Sequence, residues 1–134
     1  MRATLVDSNV LIDYLDPDSE WADWSGAMLS KAAEHGAVAI NPLIYSEVSA
    51  VYSTIEAVED ALPREYFVRA ALPWEAAFLA GRSFREYRRR GGTKRSPLPD
   101  FYIGAHAAVT GMALLTRDAR RYRAYYPKLK IIAP

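Results

Sequence analysis

The chain of 134 residues contains no cysteine. Disulfides, thiolate zinc sites and cysteine nucleophiles are therefore excluded, and the absence fits a reducing cytoplasm. No apolar run is long enough to span a bilayer, and no basic-then-apolar leader opens the sequence, so no membrane segment is expected. There is no GxxxxGK loop to cradle a nucleotide, which argues against nucleotide-driven phosphoryl transfer. Histidine is scarce, with only His35 and His106.

What is present is enough for one real core: 51% of the residues are hydrophobic, which rules out a disordered chain. The net charge of +1 conceals two opposite halves. Residues 1–80 hold four Lys/Arg against thirteen Asp/Glu, and residues 81–134 hold thirteen against three. Such a chain offers a basic surface to a polyanion while leaving acids free to hold a cation elsewhere. The plainer alternative is a solvated arginine helix.

Short apolar runs alternate with helical patterns. Ala3–Val6 reads as a buried parallel strand ending at Asp7. Ser8 or Asn9 then caps a helix whose apolar side is Val10, Leu11, Tyr14 and Leu15, stopped by Asp16-Pro17-Asp18. A second helix runs from Ser19 or Glu20 to about His35, with Gly36 beyond it. Val38–Ile40 is the next strand. Asn41-Pro42 starts a helix expected to reach about Asp60. Pro63 begins a shorter helix that ends before Pro73. Pro73 or Trp74 opens an arginine-rich helix stopped by Gly91-Gly92, and a polar loop spans 93–99. Leu98–Asp118 then supplies a small-residue helix and a short strand. A helix from Ala119 to about Tyr125 and a strand around Lys130–Ile132 close the chain. The alternation predicts a single α/β domain over 1–134 with a mostly parallel sheet.

In such sheets ligands bind beyond the carboxyl ends of the strands. Asp7 and Asp118 both follow strands. At 100° per residue, Glu47 shares a stripe with Leu43, Ile44, Val48, Val51, Ile55 and Val58, while Glu56 lies opposite. A carboxylate in a buried stripe costs several kcal/mol unless it is paired, protonated or bound to a metal. Its first half offers few cations for a buried ion pair, the alternative reading. Asp100 shares a face with Ile103, Gly104, Ala107 and Gly111, and by itself would be read as a helix cap. Four acids at one edge repel one another without a cation. His106 lies about 120° round the helix from Asp100 and His35 sits at a helix end, so neither is placed as a ligand. Oxygen-only donors select Mg²⁺ or Mn²⁺. A cation so held suits phosphodiester hydrolysis.

Arg82, Arg85 and Arg89 repeat along one helical face, Lys94 and Arg95 follow in the loop, and Arg117 adjoins Asp118. These cations can hold phosphates of RNA. Phe84, Tyr87, Phe101 and Tyr102 among them either stack on bases or, more ordinarily, pack in the core.

At these positions the chain resembles the PIN-domain nucleases and, within them, the VapC-type toxins of toxin–antitoxin modules. The matching segments are LVDSNVLIDYL, NPLIYSEV, LPDFYIGAHA and LLTRDARRYRAYYPKLKIIAP, in family order and over almost the whole chain. The resemblance implies a three-layer α/β/α sandwich and a Mg²⁺- or Mn²⁺-dependent endoribonuclease. It also implies a homodimer and a cognate VapB-like antitoxin. It makes Asp7, Glu47, Asp100 and Asp118 the acidic quartet, with Asp7 and Asp100 as direct metal ligands. Glu47 and Asp118 would then act through water, and Asn9 and Thr116 as supporting polar groups.

Two other readings remain at this stage. One is an Asp-based phosphatase or phospho-acceptor domain, although the place two residues after Asp7 holds Asn9 rather than an acid. The other is a non-catalytic RNA- or partner-binding module whose buried acids are structural.

Overall fold

A computed structural model describes residues 2–95 and 98–134. Its strands are β1 (Thr4–Val6), β2 (Val38–Ile40), β3 (Phe67–Arg69), β4 (Ala113–Leu115) and β5 (Ile131–Ile132). Its helices are α1 (Ser8–Leu15), α2 (Ala22–His35), α3 (Pro42–Ser49), α4 (Ile55–Ala61), α5 (Trp74–Arg89), α6 (Pro99–Thr110) and α7 (Arg120–Tyr125). The strands form one sheet in the order β3-β2-β1-β4-β5, with every neighbouring pair parallel. Helices flank it, giving the parallel α/β arrangement expected from the alternating pattern and the sandwich implied by the resemblance.

Every residue of β1, β2 and β4 is buried. Short, wholly buried strands of this kind belong to sheets covered on both faces. Leu5, Ile40, Leu114 and Leu115 fill the centre. Each such side chain contributes roughly 1.5–3 kcal/mol by leaving water. Strand order reverses between β1 and β4, so the crevice beyond their carboxyl ends is where side chains from separate segments converge. The Asp7 N–H donates to the Leu115 carbonyl at 2.9 Å, carrying the pairing to the rim of that crevice. Among the described residues no helix is long and apolar enough to cross a membrane.

Three expectations fail locally. The helix from Asn41-Pro42 does not reach Asp60: α3 stops at Ser49 and α4 restarts at Ile55. Tight i→i+3 bonds at residues 50–52 and the Thr54 side chain, which accepts from the Ala57 N–H, break it. Serine and threonine compete with the helix backbone in this way. The break also undoes the continuous stripe, leaving Val51 at 59% and Ile55 at 65% exposure while Val58 stays buried. The second failure is the helix at Pro63. The chain turns there and forms β3 at the edge of the sheet, as the aromatic and β-branched run Tyr66-Phe67-Val68 favours. The third is a cap: Asp7 itself, not Ser8 or Asn9, caps α1. Asp100 lies inside the first turn of α6, whose cap position is Leu98. Residues 96 and 97 of the polar loop expected before that helix lie outside the described residues.

Asn41 joins two of the helices that carry acids. Its Oδ1 accepts from the Ile44 N–H at 2.9 Å, capping α3. Its amide nitrogen is thereby turned toward His106 Nδ1 on α6, 3.0 Å away. The amide donates, so the buried imidazole accepts and is neutral. Burial pushes the His106 pKa down, in keeping with that role. Beyond His106, α6 ends on Gly111 in the left-handed region at φ 74°, as a helix C-terminus often requires.

Asn41→Ala should cost about 2–4 kcal/mol in urea-unfolding stability, since it removes a cap and orphans a buried imidazole nitrogen.

Candidate active site

The first residue after β1 is Asp7, only 5% exposed. Its Oδ1 accepts from the Ser8 N–H at 2.8 Å. Its Oδ2 accepts from the Thr116 hydroxyl at 2.9 Å and from the Tyr122 hydroxyl at 2.9 Å. Thr116 follows β4, so Asp7 is gripped from both sides of the strand reversal. Burial pushes its carboxyl above the ordinary aspartate range, the Tyr122 and Thr116 hydroxyls pull it back, and the charge of Asp100 raises it again.

Asp100 reaches the same place from the first turn of α6. The Tyr122 hydroxyl stands 3.3 Å from its Oδ1, and Arg121 Nη1 stands 3.5 Å from its Oδ2. Burial raises its pKa, Arg121 and Tyr122 lower it, and Asp118 raises it. Glu47 comes from α3, half-buried, with the Ser8 hydroxyl donating to its Oε1 at 3.1 Å. Its pKa is raised first by burial, then by Asp7 and Asp100, against the lowering effect of Ser8. Asp7, Glu47 and Asp100 thus feel one another. Among the described residues neither Asp7 nor Glu47 is in an ion pair, so the buried salt bridge that was the alternative for Glu47 does not form.

Asp118 is the outermost of the four. It is exposed, its Oδ1 accepts from the Arg120 N–H at 3.4 Å, and its charge is felt at Asp100. Asn9 and Thr116 brace the rim. Asn9 donates to the Thr116 hydroxyl at 3.3 Å and accepts from the Arg117 N–H at 3.0 Å. Asp118 N–H donates to Thr116 Oγ1 at 3.1 Å.

Every donor here is a carboxylate or hydroxyl oxygen, which suits a hard divalent cation. Burial first, and neighbouring acids second, raise three of these carboxyls, and a cation would offset both. Asp7 and Asp100, both within reach of the Tyr122 hydroxyl, are the residues that could hold one. In this arrangement, and among the described residues, no three acidic side chains stand close enough to enclose an ion together.

The basic residues divide. Arg82 and Arg85 on α5 are exposed and in no ion pair among the described residues. Arg89 is paired with Glu86 at 3.2 Å. Lys94 and Arg95 are exposed in the following loop, where Arg88 holds the Lys94 carbonyl at 2.7 Å. Arg117 departs from the expectation of a free phosphate contact. Its Nε donates to Asp13 at 2.6 Å and its guanidinium lies over Trp21, because the buried Asp13 needs a counter-charge. The aromatics take the plainer role: Phe84, Tyr87 and Tyr125 pack around the buried Phe101. Their cluster seats the arginine-bearing end of α5 beside the start of α6.

Two residues in contact with the site carry no weight in the sequence reading. They are Arg121 and Tyr122, which neither the charge pattern nor the apolar pattern singles out. The signal for Tyr122 is the four-residue step from Asp118, about one helical turn, in a segment expected to be helical. A tyrosine on a packed face needs a partner for its hydroxyl.

A carboxyl whose folded pKa is raised binds more protons folded than unfolded, so stability falls as pH climbs from its unfolded pKa through the folded value. Glu59, lowered chiefly by its bond from Arg69, works the other way, but only below the ordinary glutamate range. His106, whose pKa burial lowers, opposes the acids in the neutral-to-acid range, so their contribution is read from a difference. The stability gained by Asp100→Asn over wild type, both metal-free, should be larger at about pH 7 than at about pH 5 in calorimetric scans.

The fold is shared with solved structures. VapBC2 from Rickettsia felis, bound to a DNA fragment from its promoter, superposes with a TM-score of 0.74 at 15% identity, covering 98% of each chain. VapBC-1 from nontypeable Haemophilus influenzae gives 0.73 at 13%, covering 98% of this chain and 97% of that one. A toxin–antitoxin complex from Klebsiella pneumoniae gives 0.61 at 25%, covering 96% and 95%. No curated protein sequence matches. A family model described as the PIN domain matches residues 4–126, nearly the whole chain. With Asp7, Glu47, Asp100 and Asp118 all inside that span, the chain belongs to the PIN-domain family.

Proposed function

We propose that this protein is a Mg²⁺- or Mn²⁺-dependent endoribonuclease and the toxin of a VapBC-type toxin–antitoxin pair. The observation that carries the reading is the convergence of Asp7, Glu47 and Asp100 at the strand reversal, each pushed toward its neutral form by burial and by charge in the site. Placing like charges together is costly in a structural core and useful where a cation is to be taken up.

When bound, a divalent cation there lowers the pKa of water and offsets charge on a phosphoryl oxygen. The protein's own residues do the rest. Asp7 and Asp100 bind the cation. Glu47, steadied by Ser8, accepts a proton from the attacking water. Asp118 supports from the rim through water. Arg121, beside Asp100, meets the phosphate that arrives there. Arg82 and Arg85 hold the flanking backbone, with Lys94 and Arg95 continuing the track. In-line attack on phosphorus leaves a 5′-phosphate and a 3′-hydroxyl.

The fold likeness to toxin–antitoxin complexes supports a VapB-like antitoxin as partner, and the exposed Arg82 and Arg85 suit RNA as substrate. A homodimer completes the proposal. Exposed Val51, Ile55, Trp74 and Phe78 supply apolar surface for such association.

Purified protein should cleave RNA with Mg²⁺ or Mn²⁺ and lose that activity in EDTA. Asp7→Ala or Asp100→Ala should lower cleavage at least roughly 100-fold and abolish growth arrest on expression, with the fold retained by circular dichroism. Full activity of purified Asp100→Ala would sink the assignment. Arg82→Ala with Arg85→Ala should weaken RNA binding and reduce its salt dependence by roughly one to two ion equivalents, leaving metal affinity unchanged.

A further inference from the structure

Tyr122 is a fully buried side chain carrying a hydroxyl. A hydroxyl in that position requires a partner, and a backbone carbonyl is the ordinary one. Tyr126, one helical turn later, does just this: its hydroxyl donates to the Phe101 carbonyl at 2.6 Å. The Tyr122 hydroxyl instead lies between two carboxylates, 2.9 Å from Asp7 Oδ2 and 3.3 Å from Asp100 Oδ1. A phenol has one proton to give, so capping one acid would not bring it within reach of the second. Its place between them sets how the carboxylate after β1 sits relative to the one on α6.

The ring is fixed from behind. Gly104, fully buried on α6, is where a Cβ would lie 3.0 Å from Tyr122 Cδ1 and 2.5 Å from Tyr126 Cε2. Both rings occupy the space that a side chain at 104 would fill. The oxygen of Tyr122 is therefore held by packing as well as by its hydrogen bonds. With Ser8 N–H and Thr116 it gives Asp7 three donors, enough to fix the carboxylate's rotation.

We propose that Tyr122 is a positioning residue of the cation site. Its hydroxyl holds Asp7 and Asp100 at the separation and orientation at which their remaining lone pairs meet on one divalent ion. This rests on the metal-dependent reading of the site. Without the hydroxyl, Ser8 and Thr116 still hold Asp7 and Arg121 still holds Asp100, but no group lies between the two acids to tie one to the other. Mg²⁺ tolerates little departure from its short, near-octahedral contacts, and losing a group that orients a metal ligand commonly weakens binding 10- to 100-fold.

The test is calorimetric titration of Mn²⁺ into the full chain, comparing wild type, Tyr122→Phe and Tyr126→Phe. Both substitutions keep the ring against Gly104 and remove one hydroxyl. Tyr122→Phe is expected to weaken Mn²⁺ binding roughly 10-fold or more, and Tyr126→Phe to leave it within about twofold. Metal-free circular dichroism spectra should stay superimposable. Unchanged affinity in Tyr122→Phe, with normal binding by wild type, overturns the role of Tyr122 and leaves the nuclease reading standing. Equal weakening in both variants also overturns it, since packing alone would then be responsible. Absence of Mn²⁺ binding by wild type overturns the metal-dependent reading and this inference together.

Discussion

The withdrawal of acidic side chains from water at one place is the constraint on which this site depends. Asp7, Glu47 and Asp100 each lose hydration on folding, and each feels charge from neighbouring acids. Those terms oppose the folded state, so the rest of the structure must supply the stability that the site removes. It does so with an apolar sheet centre and with hydroxyls aimed at the acids. Ser8, Thr116 and Tyr122 donate hydrogen bonds without adding charge. Asp7 and Glu47 stay near one another with no ion pair among the described residues to neutralise them.

The topology makes that condition possible. Parallel strands end together, and the reversal of order between β1 and β4 opens a gap beyond two central strands. Asp7 and Thr116 follow those strands directly. Glu47 and Asp100 stand on α3 and α6, coupled through the Asn41–His106 bond. Rigid elements joined by buried polar contacts hold chemical groups more closely than loops do. Asp118, on the rim in the loop after β4, is the least constrained of the four.

Much of this was legible in the residue order. Alternating short apolar runs and helical patterns pointed to the parallel sheet; the rule that ligands gather at strand ends picked out Asp7 and Asp118, and helical faces picked out Glu47 and Asp100. What misled was length. The apolar spacing from Ile44 to Val58 fits one helix, but Ser53-Thr54 offers the backbone a competing set of bonds, so the phase is lost at Val51 and Ile55. Three-residue strands such as β3 carry too little pattern to outweigh a nearby proline. Arg117 shows a different gap. Its charge and location suit RNA, yet its use is decided by Asp13, 104 residues away in sequence. Tyr122 was hidden for the same reason, because its partners come from other segments.

The span of those contacts has a consequence for biosynthesis. Asp7 leaves the ribosome 109 residues before Thr116 and 115 residues before Tyr122, and its bonds to them close loops of those lengths. Closing such loops is entropically costly, and folds that depend on them assemble late. A nascent chain has this acid long before it has the hydroxyls that hold it. Translation thus acts as a timer: until β4 and α7 have emerged, Asp7 and Asp100 cannot be held at one place.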